Sequence, residues 1–316
     1  MANSVLILSD EKLTALKAYY ASDVVKRNAP GVVFAAKTAN ASITAYRSGK
    51  VLFQGGGAEM EAAKWEAGDA SGASAVSSNK KVVTKGAPLP DRLEMLSVIG
   101  SDETGTGDFF GPVTVCACYV RADQIPLVAE LGVKDSKLLT DPYMRSIAPD
   151  LKSVLTYSVL TLQNEKYNTV QAKGWSQGKI KALLHNQAIR HVLRKLEDEH
   201  PDYILIDQFA ERGVYYNHLK NEPEIVRENV LFATKAEGLH VAVAAASIIA
   251  RVAFLDEMDR LSGLAGRTLP KGAGKKVDET AASILLSKGE PFLRSMTKWH
   301  FANAKKAAVL AAKKRG

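Results

Sequence analysis

Apolar positions in the first 65 residues follow a helical period and then an alternating one, which predicts a small domain of mixed secondary structure. Ser9 and Asp10 precede apolar residues spaced three and four apart, as at the start of a helix. Apolar runs over 32–35, 42–46 and 50–53 follow, and the turn sequence Arg-Ser-Gly joins the last two into a predicted hairpin. A second helix is predicted around 58–65. We therefore expect residues 1–67 to form an α+β domain.

A change in composition separates this part from the rest of the chain. Residues 68–92 are rich in Gly, Ala, Ser and Pro and sustain no apolar period, which is typical of a linker. Residues 93–316 then alternate strand-like apolar runs with helical periods, a pattern that predicts an α/β domain with a mixed sheet. The predicted strands cover 96–100, 112–120 and 203–206, and the predicted helices cover 141–152, 178–196 and 241–261.

Charge adds a preference for polyanionic partners. The chain carries 42 Lys and Arg against 34 Asp and Glu, a formal net charge of +8. The excess is concentrated in residues 294–316, which hold seven basic residues and no acidic one. Two interpretations of this run stay open, a segment that faces nucleic acid and a solvated helix face.

The two cysteines and the hydropathy pattern limit the class of protein. Cys116 and Cys118 cannot build a disulfide framework, and a lone Cys-x-Cys pair is a poor zinc site, so we expect buried thiols. The N-terminus lacks a signal-peptide pattern, and no apolar run approaches the roughly 20 residues of a membrane span. We expect a cytoplasmic monomer without an obligate protein partner. None of the six histidines has the spacing of a metal ligand, and each is interpreted as structural or exposed.

Adjacent carboxylates mark the most informative segment. Asp102 and Glu103 follow the strand predicted over 96–100, where the chain opens into a glycine-rich turn. Carboxylates in such a place are penalised by desolvation and mutual repulsion unless a cation compensates them. The turn is not a phosphate-binding P-loop, because no Gly-Lys-Ser/Thr follows, and glycine-rich turns also serve backbone geometry alone.

Two further acids occupy comparable positions. Asp207 ends the strand predicted over 203–206, and Glu237 precedes the long Ala-rich helix. Each has an ordinary alternative, since Asp207 fits a capping residue and Glu237 fits a first-turn acid that complements the helix dipole. Taken with the adjacent pair, they fit a site for Mg²⁺ or Mn²⁺, which prefer oxygen ligands. Two such ions about 4 Å apart support in-line phosphoryl displacement by water.

Such a site places a condition on the backbone. Neighbouring residues of a regular strand point to opposite faces. Asp102 and Glu103 can therefore reach one pair of ions only if the chain bends at this point. Gly100 and Gly105 flank the acids and make a bend inexpensive. We therefore expect an irregular strand at this point.

Several stretches of the chain resemble bacterial ribonuclease HIII, a type 2 ribonuclease H, and the resemblance covers essentially its whole length. They are Gly-Ser-Asp-Glu-Thr-Gly-Thr-Gly-Asp-Phe-Phe-Gly-Pro (100–112), Gly-Val-Lys-Asp-Ser-Lys (132–137), Leu-Ile-Asp-Gln-Phe (205–209), Thr-Lys-Ala-Glu (234–237) and Ala-Ala-Ala-Ser-Ile-Ile-Ala-Arg (244–251). The related ribonuclease HII carries Gly-Arg-Gly where this chain has Gly-Thr-Gly, and this difference favours ribonuclease HIII.

The resemblance implies a ribonuclease H fold and cleavage of the RNA strand of RNA/DNA hybrids, with 5′-phosphate and 3′-hydroxyl products. It assigns the four metal-binding acids to Asp102, Glu103, Asp207 and Glu237, with two Mg²⁺ or Mn²⁺ ions during catalysis. It also implies that the backbone of Gly105, Thr106 and Gly107 contacts ribose hydroxyls, the groups that distinguish RNA from DNA.

The N-terminal segment around 46–55 resembles the accessory domain of that family, which has a TATA-box-binding-protein-like fold. On its predicted hairpin, Tyr46, Arg47 and Lys50, together with Lys37, are candidate contacts to the nucleic-acid backbone. The alternative is that Tyr46 packs across strands and the charges are merely exposed.

Three more positions within the matched stretches have open roles. Lys137 either approaches a substrate phosphate or pairs with Asp135. Ser247 and Arg251 lie in the Ala-rich helix, where packing or support of the site is expected before direct contact.

The rival functions are incision at single embedded ribonucleotides, non-catalytic binding of nucleic acid, and another polynucleotidyl transfer on the same fold. The Gly-Thr-Gly turn disfavours the first rival, and clustered acids disfavour a binder of polyanions.

Overall fold

The computed structural model describes residues 3–27, 31–65, 89–133 and 139–315. In its N-terminal part, helices pack on one side of an antiparallel sheet with strand order β1-β4-β3-β2. The predicted first helix and hairpin are confirmed, whereas the edge strand β1 was missed because its apolar run is short. The elements are β1 (Asn3–Ile7), α1 (Asp10–Tyr19), β2 (Val32–Lys37), β3 (Ser42–Tyr46), β4 (Lys50–Gln54) and α2 (Ala58–Ala63).

A mixed five-stranded sheet organises the rest of the chain, as the sequence predicted. Its order is β7-β6-β5-β8-β9, with β5, β8 and β9 parallel and β6 antiparallel to both neighbours. The elements are β5 (Val98–Thr104), β6 (Val113–Val120), α3 (Ile125–Glu130), α4 (Asp141–Val154), β7 (Thr156–Leu162), α5 (Asn164–Ala172), α6 (Gln177–Leu196), β8 (Tyr203–Asp207), α7 (Arg212–Leu219), β9 (Val230–Ala233), α8 (Val241–Ala265), α9 (Lys275–Ser295) and α10 (Ala302–Arg315).

Helices cover both faces of this sheet, which explains why its central strands are apolar throughout. One face packs against α8 and buries Val98, Cys116 and Leu205. The opposite face packs against α6 and buries Ile99, Val115 and other residues at alternate positions. We name these two surfaces the α8 face and the α6 face. Cys116 and Cys118 are free, buried thiols, as expected.

Gly100 lets the first turn of α8 lie directly on β5. A Cβ atom at this position would stand 2.2 Å from the carbonyl carbon of Ala242 and from the backbone nitrogen of Val243. No side chain fits into that space. The contact fixes the start of α8 beside the strand that carries the adjacent acids.

The N-terminal sheet packs against the larger part through the face opposite α1 and α2. Tyr46 and Leu52 are buried in the same apolar cluster as residues of α3, α4 and α8. Polar contacts surround them: the backbone N–H and hydroxyl of Ser48 donate to Glu130, and Arg27 pairs with Asp150. The predicted linker 68–92 lies mostly outside the described residues, so the predicted domain boundaries stay predictions.

The basic C-terminal run forms α10 together with the end of α9. Most of its charges are exposed, but Lys298 is fully buried. Both helices pack on Phe109 and Phe110, which follow the glycine-rich turn. Within the described ranges, no helix combines the length and apolar character that crossing a bilayer requires.

Candidate metal site and ribose-reading turn

Asp102 and Asp207 lie side by side at the ends of two parallel strands. The β5–β8 register runs from Val98–Tyr203 to Ser101–Ile206, and these two acids occupy the next position on each strand. Asp207 is two residues beyond Leu205 and therefore shares the α8 face with it. Ser247 of α8 hydrogen-bonds Asp102 from the same side, which agrees with the supporting role expected for this serine.

Negative charge accumulates around Asp102. Burial, and then the charges of Glu103 and Asp207, raise the pKa of this carboxyl to about 7. The hydrogen bonds from Ser247 and from the N–H of Glu103, the latter at 2.7 Å, oppose the shift without cancelling it. A cation bound nearby would therefore compensate the negative charge of Asp102.

Glu103 points to the opposite side of the sheet. Its carboxylate accepts from Lys181 Nζ at 2.9 Å and contacts His185 Nε2 at 2.8 Å, both on α6. The β5–β6 register continues through Asp102–Cys116 and Glu103–Val115 without a shift. The predicted bend is therefore wrong: the strand stays regular, Gly100 serves close packing, and the adjacent acids lie on different faces.

The two α6 side chains hold Glu103 in its charged form. Burial works to raise the pKa of Glu103, but His185 and Lys181 outweigh it and lower the pKa below its usual range. His185 is fully buried, and its Nδ1 lies 2.7 Å from Ser101 Oγ, which donates to the carbonyl of Cys116 at 3.0 Å. Sequence reasoning missed both residues, although their spacing of four on a helix places them on one side.

A backbone hydrogen bond of the neighbouring residue Ala236 places Glu237 near the end of β8. The N–H of Ala236 donates to Asp207 Oδ1 at 2.9 Å, so the short turn 236–238 is bound to the end of β8. Glu237 is buried within this turn, immediately before α8. Three of the four predicted acids therefore belong to the α8 side of the sheet, and Glu103 belongs to the α6 side.

The donor chemistry of these acids fits a hard divalent cation. All four side chains offer carboxylate oxygens, and Asp102 is buried beside the charges of Glu103 and Asp207, which a bound cation would compensate. In the described part of the chain, however, no three His, Cys, Asp or Glu side chains are already gathered as a metal cluster.

The turn 105–107 follows directly after β5. Gly105 has φ +92°, and a Cβ there would lie 2.3 Å from the carbonyl oxygen of Pro112, so the fold itself requires this glycine. Gly107 is different, because it is exposed and nothing lies within 4 Å of a Cβ built on it. Among the described residues, none accepts a hydrogen bond from the N–H of Thr106 or Gly107. This edge of the turn is open to a ligand.

The candidate contacts on the N-terminal hairpin are only partly exposed. Tyr46 is 0% and Lys50 7% exposed, since both lie on the sheet face that packs toward α3 and α4. Their predicted contact with nucleic acid is wrong for this arrangement, and the packing alternative describes Tyr46. Arg47 and Lys37 are exposed, as a backbone contact requires.

Lys137 and Arg251 belong to the stretches that resemble ribonuclease HIII. Lys137 lies outside the described residues. Arg251 donates to Asp141 Oδ1 at 2.9 Å and so joins α8 to the start of α4, which agrees with a supporting role.

Comparison with known proteins identifies the family. The family described as Ribonuclease HII matches residues 99–304, and a Domain of unknown function (DUF3378) matches residues 3–78. Ribonuclease HIII of Lysinibacillus sphaericus is 59% identical over 97% of this chain and 99% of its own length, and that of Bacillus subtilis is 54% identical over 100% of both. The crystal structure of Bst-RNase HIII in complex with Mn²⁺ is 45% identical, covers 99% of this chain and 100% of its own, and has a TM-score of 0.69. The chain belongs to the ribonuclease HIII members of the ribonuclease HII family.

Proposed function

We propose that Asp102, Glu103, Asp207 and Glu237 are the metal-binding residues at which this chain hydrolyses the RNA strand of RNA/DNA hybrids. Membership of the family makes the chain a ribonuclease H endonuclease that uses Mg²⁺ or Mn²⁺. The observation that carries the residue assignment is the shared end of β5 and β8, where Asp102 lies beside Asp207 and where burial, and then the charges of Glu103 and Asp207, raise the pKa of Asp102 to about 7.

Bound divalent ions would activate the attacking water and stabilise the leaving oxygen. The chain itself supplies four carboxylates on rigid elements, three on the adjacent strands β5 and β8 and one on the turn fixed by the Ala236 N–H. Lys181 and His185 keep Glu103 ionised on the α6 side, so to join the other acids around a metal its carboxylate would have to leave these two partners and turn toward the end of β5. Cations placed among these acids would offset the repulsion that contributes to the raised pKa of Asp102. The free energy gained in this way would favour convergence of the carboxylates.

Selection of the RNA strand is assigned to the turn 105–107. The N–H groups of Thr106 and Gly107, for which the described residues offer no acceptor, and the missing side chain of Gly107 allow the peptide backbone to approach a ribose closely. A 2′-hydroxyl both donates and accepts hydrogen bonds, and only RNA offers it. Gly105 permits the backbone conformation of the turn, and Gly107 leaves room for a ribose beside the backbone.

Affinity for the duplex is assigned in part to the N-terminal part of the chain. Arg47 and Lys37 are exposed there and suit contacts to phosphates, with binding that weakens as salt rises. We further propose that the chain acts as a monomer in the bacterial cytoplasm, where its two buried thiols stay reduced.

The test uses a hybrid with a labelled RNA strand, incubated with Mg²⁺, with Mn²⁺ or with EDTA. We expect cleavage with either ion, none in EDTA, and recovery when the ion is restored in excess. The same sequences as DNA/DNA and RNA/RNA duplexes should resist. Preferred incision of a duplex with a single embedded ribonucleotide would instead indicate the specificity of ribonuclease HII, and cleavage that persists in EDTA would contradict the metal assignment.

A further inference from the structure

The segment that follows the turn 105–107 is held by a buried lysine. Lys298 Nζ donates to the carbonyl of Asp108 at 2.9 Å and to that of Gly111, while its backbone N–H donates to Phe109 O at 2.8 Å. The N–H of Gly111 donates to Met296 O at 3.0 Å. Residues 108–111 are thus paired with the chain that connects α9 and α10.

Burial of the Lys298 ammonium group lowers the stability of the fold. Lys298 is fully buried, and the hydrogen bonds of its ammonium group go to the backbone carbonyls of Asp108 and Gly111. Desolvation lowers the pKa of Lys298 to about 7, partly offset by the charge of Asp108. An apolar side chain of similar length would fill the same space without this cost, so packing alone does not account for an ammonium group here.

A second side chain holds the turn from the other direction. Gln177, the first residue of α6, donates from Nε2 to the carbonyl of Thr106 at 2.9 Å. Gln177, Lys181 and His185 are spaced by four and share one side of α6. The helix that holds Glu103 therefore also holds the turn next to it.

We propose that Lys298 and Gln177 are positioning residues that fix the turn 105–107 between the C-terminal helices and α6, and that this fixation determines how strongly the enzyme discriminates ribose from deoxyribose. The inference rests on the function proposed above for the turn. Neither residue touches substrate in this account. A rigid turn presents its N–H groups without an ordering cost, whereas a loose turn loses part of the free energy of each hydroxyl contact on ordering.

The experiment measures discrimination rather than activity alone. A DNA duplex with four consecutive ribonucleotides in one strand is compared with versions in which each ribose in turn is replaced by deoxyribose. Single-turnover cleavage rates give a discrimination factor, the rate on the parent divided by the rate on the most sensitive replacement. The proteins are the full-length enzyme and its Lys298→Met and Gln177→Ala variants, with thermal unfolding and circular dichroism as checks of folding.

Lys288→Met is the matched control. The ammonium of Lys288 also donates to a backbone carbonyl, that of Leu264 at 2.6 Å, and so joins α9 to the end of α8, away from the turn. We expect this variant to keep the discrimination factor of the unmodified enzyme. Lys298→Met and Gln177→Ala should each reduce the factor, by roughly tenfold if one hydroxyl contact is lost.

Equal slowing of all substrates, with an unchanged discrimination factor, would show a merely structural role and overturn the inference. If Lys298→Met does not fold, Gln177→Ala decides alone, because its side chain is only partly buried. A discrimination factor near one in the unmodified enzyme would refute the function proposed for the turn, and the inference with it. The two failures are therefore distinguishable.

Discussion

Asp102 and Asp207 leave two neighbouring parallel strands at the same register position and on the same face of the sheet. Burial raises the pKa of Asp102, and the charges of Glu103 and then of Asp207 raise it further. The arrangement stores repulsion that a divalent cation would relieve. Stability, metal affinity and catalysis are therefore coupled at this point of the fold.

Substitution Asp102→Asn should stabilise the metal-free protein at pH 8. The folded protein holds this proton up to about pH 7, whereas the ordinary value is 3.8, so the free energy of unfolding falls as pH rises between these values. Asparagine abolishes this loss, a gain on the order of 4 kcal/mol at pH 8. Urea unfolding in EDTA at pH 5 and pH 8 measures it. Asp91→Asn, at an exposed carboxylate, serves as control, and identical pH profiles for all three proteins would contradict the account.

Metal affinity should depend on pH around the same carboxyl. Below pH 7, Asp102 must release a proton when an ion binds, so the affinity for Mn²⁺ should fall by up to about tenfold per pH unit. Above pH 8 it should level off. Calorimetric titrations in two buffers of different ionisation enthalpy report the released proton directly. Binding without proton release at pH 6 would show that Asp102 is already ionised there.

The ion pair between the two parts of the chain should matter for stability. Asp150 is 2% exposed, and burial raises its pKa although Arg27 opposes the shift. Substitution Arg27→Met leaves a buried carboxylate unpaired and should lower the free energy of unfolding by about 3 kcal/mol. The double variant with Asp150→Leu should recover a large part of this loss. Equilibrium unfolding of Arg27→Met, Asp150→Leu and the double variant measures these changes. If the losses in the free energy of unfolding of the two single variants simply add in the double variant, the pairing is contradicted.

Substitution Gly100→Ala should displace α8 from β5. The added methyl group would occupy space filled by the backbone of Ala242 and Val243, neither of which can rotate away. We expect destabilisation above about 3 kcal/mol and loss of most activity, since Ser247 and Glu237 move with the helix. Gly263→Ala, an exposed position in the same helix with open space around it, should instead stabilise by about 0.5 kcal/mol. Thermal unfolding and hybrid cleavage distinguish these outcomes.

The sequence predicted the elements with clear periods and missed those whose pairing depends on neighbours. The hairpin, the mixed sheet and the Ala-rich helix α8 are confirmed. The strands β7 and β9 and the helices α5, α7 and α9 were not recognised, because their residues are mixed in character and become ordered by packing on the central strands.

The candidate site shows the same limit. The acids were found because adjacent carboxylates after an apolar strand are unusual, but their division between two faces depends on the β5–β6 register. Lys181 and His185 carry no motif of their own and are recognised only through contact with Glu103. Tyr46 and Lys50 looked accessible in the sequence, and the docking of the N-terminal sheet buries them.

Cleavage of a labelled RNA/DNA hybrid by the Asp207→Asn variant tests the central claim most directly. Asparagine keeps an oxygen to accept from the Ala236 N–H, so the local structure should persist while the charge is lost. With hybrid binding measured in parallel, we predict at least about a thousandfold slower cleavage in Mg²⁺ or Mn²⁺ with nearly unchanged affinity for the hybrid. Cleavage at the rate of the unmodified enzyme would remove Asp207 from the metal site and contradict the account.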